Sequence, residues 1–173
     1  YEKYFNRYNI TLMEPSPAFW YLTAAFDSNK PYFDDSNLLQ EKLGPNKVTI
    51  IDVSKLMIYE CEGNVSHKDG NNCGLKGALL KNGKDKTGQL RCWASYNHKD
   101  DELYKVVNDL LDSDAVVFFG SIRWGKMNAV YSRLVERLTW LENRHATLGE
   151  SNIIKDIDAG VISVGHNWNG EEA

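Results

Sequence analysis

Residues 114–128 read Asp114-Ala115-Val116-Val117-Phe118-Phe119-Gly120-Ser121-Ile122-Arg123-Trp124-Gly125-Lys126-Met127-Asn128. The run 115–120 is continuously apolar, β-branched or aromatic, and does not alternate with polar residues. Such a run suits a strand covered on both faces, as strands of a parallel sheet are. Asn128 then stands as a helix N-cap, and Val130, Leu134, Leu138 and Leu141 mark one face of a helix reaching to about Arg144. Upstream, Leu103, Val106, Val107, Leu110 and Leu111 repeat at helical spacing. They follow Asp100, Asp101 and Glu102, whose charge favours a helix N-terminus.

Three further segments read as strands, 19–26, 47–53 and 160–165, and a short helix over 36–43 is stopped by Gly44-Pro45. Strand, helix and strand in alternation predict an α/β domain with a parallel sheet. Residues 61–98 are rich in Gly, Asn, Lys and Asp without a period, and read as a long loop insertion after the second strand. Tyr1, Tyr4, Phe5 and Tyr8 form an aromatic stripe ahead of Pro15 and Pro17. This sets residues 1–17 apart as an arm, packed on the domain of residues 18–173 or gripping a partner subunit.

The 173 residues suit one domain. Twenty Lys and Arg against 24 Asp and Glu leave a net charge of -4, a poor match to nucleic acid or an anionic membrane. No apolar run is long enough to span a bilayer. Cys61, Cys73 and Cys92 cannot all pair internally, so free thiols in a reducing cytoplasm are expected. Three cysteines are too few for an iron–sulfur cluster held by four thiolates, and with His67 or His98 they have no usual zinc spacing.

Ligands of an open parallel sheet sit beyond the carboxyl ends of its strands. Three loops fall there. Residues 27–37 carry hydroxyls and a lysine ahead of a helix, suited to a terminal phosphate or to an ordinary polar turn. Residues 120–128 set Trp124 between strand and helix, and Gly165-His166-Asn167-Trp168-Asn169-Gly170 is a second glycine-bounded aromatic loop. Two such loops beside one crevice suggest a flat heterocycle.

The stretches Asp100-Asp101-Glu102-Leu103, 113–121, Trp124-Gly125 and Glu136-Arg137-Leu138 resemble the NAD(P)H-dependent FMN reductases of the flavodoxin-like fold. Over residues 47–170 the resemblance implies a three-layer α/β fold with strand order 2-1-3-4, with or without a fifth strand. That fold normally continues beyond a fourth strand. The chain is therefore a shortened version or part of a longer one, and its start at Tyr1 without methionine favours the latter.

The resemblance assigns Ser121, Ile122, Arg123, Trp124, Gly125, Met127 and Asn128 to the loop around the isoalloxazine ring. Gly165, Trp168, Asn169 and Gly170 fall in a loop near the ring's edge, with His166 as a proton or hydrogen-bond donor. Ser28, Lys30, Ser36 and Asn37 correspond to the phosphate loop, although Asp27 stands where the family has glycine and Lys30 where it has arginine. The implied cofactor is FMN, with NAD(P)H as co-substrate and a small acceptor such as a quinone or flavin; homo-oligomers are common among such proteins. An electron carrier lacking a nicotinamide site and a binding module that has lost its flavin are the rival readings on the same fold.

Overall fold

The computed structural model describes residues 48–63, 73–123 and 125–164. Its sheet is built on β1, Ala115–Arg123, which pairs in parallel with β3, Asp158–Val164. The register runs from Ala115 opposite Asp158 to Ser121 opposite Val164. Beyond Arg123 the chain turns back into β2, Lys126–Met127, whose pairing with β1 is antiparallel. The sheet is therefore mixed, in the order β2-β1-β3, rather than wholly parallel. Gly125 allows the reversal, because its φ of 72° is open to glycine and strained for other residues.

Three α-helices accompany these strands: α1, Trp93–Asn97; α2, Leu103–Leu111; and α3, Ala129–Ala146. Asn128 caps α3 as expected, its side chain accepting from the Tyr131 N–H. Arg144 and His145 in the last turn complement the dipole. Helix α2 buries Leu103, Val106, Val107 and Leu110, the stripe read from its spacing. The core joins them to Val116, Leu134, Leu90 and Trp140. Each fully buried aliphatic side chain is worth about 1.5–3 kcal/mol relative to exposure.

Three expectations change. The segment from Val48 to Val53 is not a strand: Asp52 forms a single bridge, and a one-turn 3-10 helix, Val53–Lys55, follows. Its cause is local, since Asp52 Oδ1 accepts from the Ser54 N–H and draws the backbone out of a ladder. Residues 73–98 are not a loose excursion but carry α1 and supply Ala78, Leu90, Cys92 and Ala94 to the interior. The buried face of α3 is Leu134, Arg137, Trp140, Leu141, Asn143 and Arg144, while Val130 and Leu138 are only half-buried. The arm, the 19–26 strand and the 36–43 helix lie outside the described residues.

Candidate functional site

Because β1 and β3 are parallel and Ser121 lies opposite Val164, both leave the sheet at the same end. There the β1–β2 hairpin is fixed to α3 through Asn128. Its N–H donates to the Ser121 carbonyl at 3.0 Å, its Nδ2 to Ser121 Oγ at 3.3 Å, and its Oδ1 accepts from Tyr131 at 3.0 Å. Ser121 and Ile122 are buried in β1, only 4% and 5% exposed. Met127 folds over Gly120 so closely that a Cβ there would meet Met127 Cε at 2.2 Å. Gly125 stands exposed at the tip, with nothing within 4 Å of where a Cβ would be.

These residues fit a flat ring at the hairpin. A bare glycine backbone and a polarizable thioether can lie against its face, and no acidic residue occurs between Ala115 and Asn128. Arg123 is described only as backbone of β1. Ser28, Lys30, Ser36, Asn37, Trp124, Gly165, His166, Trp168, Asn169 and Gly170 lie outside the described residues.

Next to the core of this region sits a polar network that the spacing of apolar residues does not signal. Arg137, 1% exposed, donates from Nη1 to Asp101 Oδ1 at 2.8 Å and to the Tyr59 carbonyl at 2.7 Å. Its Nη2 donates to Ser95 Oγ at 2.8 Å and Asp101 Oδ2 at 3.1 Å, and its Nε to Cys92 Sγ at 3.3 Å. Burial opposes the guanidinium charge, but the bonds to Asp101 and Cys92 outweigh it and hold the pKa above the ordinary arginine value. Asp101 also accepts from the N–H groups of Tyr59 and Leu103 and from Ser95 Oγ. The two most family-like stretches, around Asp101 and around Arg137, are thus in direct contact.

The neighbouring acids act alike. Tyr59 Oη donates to Asp100 at 2.7 Å, which lowers the Asp100 pKa and raises that of Tyr59; the Tyr59 ring stacks on His98 at 3.9 Å. Glu102 accepts from Lys105 and from the Met57 N–H. The acidic cluster therefore straps residues 57–59 to the start of α2, in addition to capping it. At the other end of α3, Glu150 bridges Arg91 at 2.6 Å and Arg144 at 2.8 Å.

All three cysteines are free, and burial, with the other two thiols, pushes Cys73 up to about 12. Among the described residues no cluster of three His, Cys, Asp or Glu could hold a metal ion, and no helix is long and apolar enough to cross a membrane. A cavity of about 460 Å³, unforeseen in the sequence, opens between residues 49–56, the Lys84–Lys86 turn and α2.

No family model matches the chain, and no curated protein matches it in sequence. Two solved structures are similar to it. One, named flavone reductase, is 13% identical, with a TM-score of 0.48, over 88% of this chain and 44% of its own. The other, named "Putative quinone reductase" from Klebsiella pneumoniae, is 14% identical, with a TM-score of 0.50, over 88% of this chain and 61% of its own. The chain thus spans 44% and 61% of the lengths of the two structures it matches. In fold it is an α/β protein similar to the Klebsiella protein.

Proposed function

We propose that this protein is an FMN-dependent oxidoreductase that takes hydride from NAD(P)H and passes it to a small acceptor such as a quinone or another flavin. The observation that carries this reading is the parallel register of β1 and β3. It brings the carboxyl ends of β1 and β3 to one end of the sheet, the end at which an open α/β sheet takes its ligands. The direct contact between the Asp101 and Arg137 stretches adds support, since both carry the resemblance to FMN reductases. So does the fold shared with a protein named as a quinone reductase.

The flavin, when bound, supplies the redox chemistry by accepting hydride and releasing its electrons to the acceptor. The chain's own residues position it. Gly125, Met127 and Trp124 would hold the ring, and Asn128 with the buried Ser121 and Ile122 keeps the hairpin that carries them, and Arg123, in place. By the resemblance, Gly165, Trp168, Asn169 and Gly170 would serve the ring's edge, with His166 as hydrogen-bond donor, and Ser28, Lys30, Ser36 and Asn37 would hold the phosphate. Within the same proposal the protein works in the cytoplasm as a homo-oligomer.

The test is the visible spectrum of the purified protein before and after NADPH, with thermal unfolding in added FMN. A yellow protein bleached by NADPH is expected, or a colourless one stabilised by FMN in proportion to ligand excess, about 2.7 kcal/mol at 100 times Kd. A colourless protein whose melting temperature ignores FMN overturns the proposal. Bound flavin that NADPH does not reduce would make it an electron carrier instead.

A further inference from the structure

We infer that the cavity between residues 49–56, the Lys84–Lys86 turn and α2 is a second ligand site, for a small organic anion with an apolar body. Its volume of about 460 Å³ falls in the range of small-molecule sites. Ile50, Ile51, Leu56 and the Tyr104 ring supply an apolar wall, and Lys84 and Lys86 stand at its edge.

The lysines are held there by construction. Asp85 between them is buried and accepts from the N–H groups of Thr87 and Leu90 and from the Thr87 hydroxyl, fixing the turn from within. Asn108 on α2 clamps the same turn from the other side, accepting from the Lys86 N–H at 2.9 Å and donating to the Lys84 carbonyl at 3.1 Å. Lys84 reaches over the Tyr104 ring, 5.5 Å from its centroid, and donates to the Lys99 carbonyl. Among the described residues the ion pairs of this region join Asp52 to Lys55 and Glu102 to Lys105, and Lys86 acts only through its charge on Asp109.

A rigid turn presenting two ammonium groups beside an apolar wall is preorganised for one charge class of ligand. Asp52 and Asp109 in the lining oppose an anion, but Asp52 is already held by Lys55 and the Ser54 hydroxyl and Asp109 faces the Lys86 charge. Leu56 in the cavity wall also borders the first turns of α3 with Val130 and Arg133, beside the hairpin's Asn128. Binding here is read from the cavity's own amides, so its outcome is distinguishable from that of the flavin proposal.

The experiment titrates the full ¹⁵N-labelled chain, with whatever flavin it carries, with 2-naphthoate, 2-naphthylmethylamine and inorganic phosphate. Naphthoate should shift the amides of Ile51, Lys84, Lys86, Tyr104 and Asn108. The amine should leave them in place, and phosphate should bind at least tenfold more weakly. The Lys84→Glu/Lys86→Glu variant, altered only at exposed positions, should remain folded by its amide spectrum and lose naphthoate affinity at least tenfold. Unmoved amides around the cavity, equal binding of the amine or of phosphate, or unchanged affinity in the double variant would each overturn the inference.

Discussion

Arg137 and Asp101 form an ion pair wholly removed from water, with every guanidinium nitrogen bonded. The desolvation of such a pair offsets much of its attraction, so its net worth is modest, yet removing one partner strands a buried charge. Arg137→Met should therefore cost about 3–5 kcal/mol in urea unfolding, and adding Asp101→Asn, which removes the stranded charge but keeps an acceptor for the Tyr59 or Leu103 N–H, should recover part of that loss. A domain's whole stability is roughly 5–15 kcal/mol, so the single variant is the more severe lesion. Glycines sort differently. At Gly74, φ is 82° and a Cβ would lie 3.0 Å from the Trp140 carbonyl, so Gly74→Ala should cost about 1–3 kcal/mol. At Gly120 the obstructing atom is the mobile end of Met127, and Gly120→Ala should cost less than about 1 kcal/mol once Met127 swings aside. Thermal unfolding of the two variants side by side checks the order.

The helices show what the amino-acid order reveals and what it hides. Helices α2 and α3 could be placed because apolar spacing and the Asn128 cap are local signals, visible without knowing what lies opposite. Asn128→Ala should lower stability by about 1 kcal/mol, and Asn128→Asp, which keeps an acceptor for the Tyr131 N–H, should lose less. Apolar spacing does not, however, reveal that α3 turns two arginines inward, since a charged residue ordinarily reads as solvent-facing. Their partners explain the choice: Asp101, 36 positions from Arg137, and Gln89, 55 positions from Arg144, with the nearby Glu150. Residues 73–98 look like loop in the sequence for the same reason. Ala78, Leu90, Cys92 and Ala94 follow no period, and their burial is decided by elements far along the chain. At the proposed flavin site, the hairpin was read as an open loop because Gly125 signals a turn without saying that Lys126 and Met127 pair back on β1.

For the molecule as a whole, the exposed carboxylate contacts set the acid limit of stability. Arg91 and Arg144 depress Glu150, Lys105 and the Met57 N–H depress Glu102, and Tyr59 depresses Asp100. Groups lowered in the folded state contribute above their unfolded values near 3.8 and 4.5, and that contribution is lost as pH falls through the lower folded values. Tyr59, raised by Asp100, contributes below its unfolded value of 10.0 and loses that contribution as pH rises through the higher folded one. Urea midpoints should therefore be flat near neutrality, fall below about pH 4.5 and fall again above about pH 10. Glu150→Gln should blunt the acid decline.

The partners of Arg137 lie 36, 42, 45 and 78 positions away from it along the chain. Bringing four segments to one point requires large loops to close first, so this contact belongs to the last stage of folding, after the rate-limiting barrier. In stopped-flow traces Arg137→Met should accelerate unfolding and leave the refolding limb nearly unchanged. The guanidinium thus acts as a latch on the finished domain, setting how long it stays folded rather than how quickly it folds.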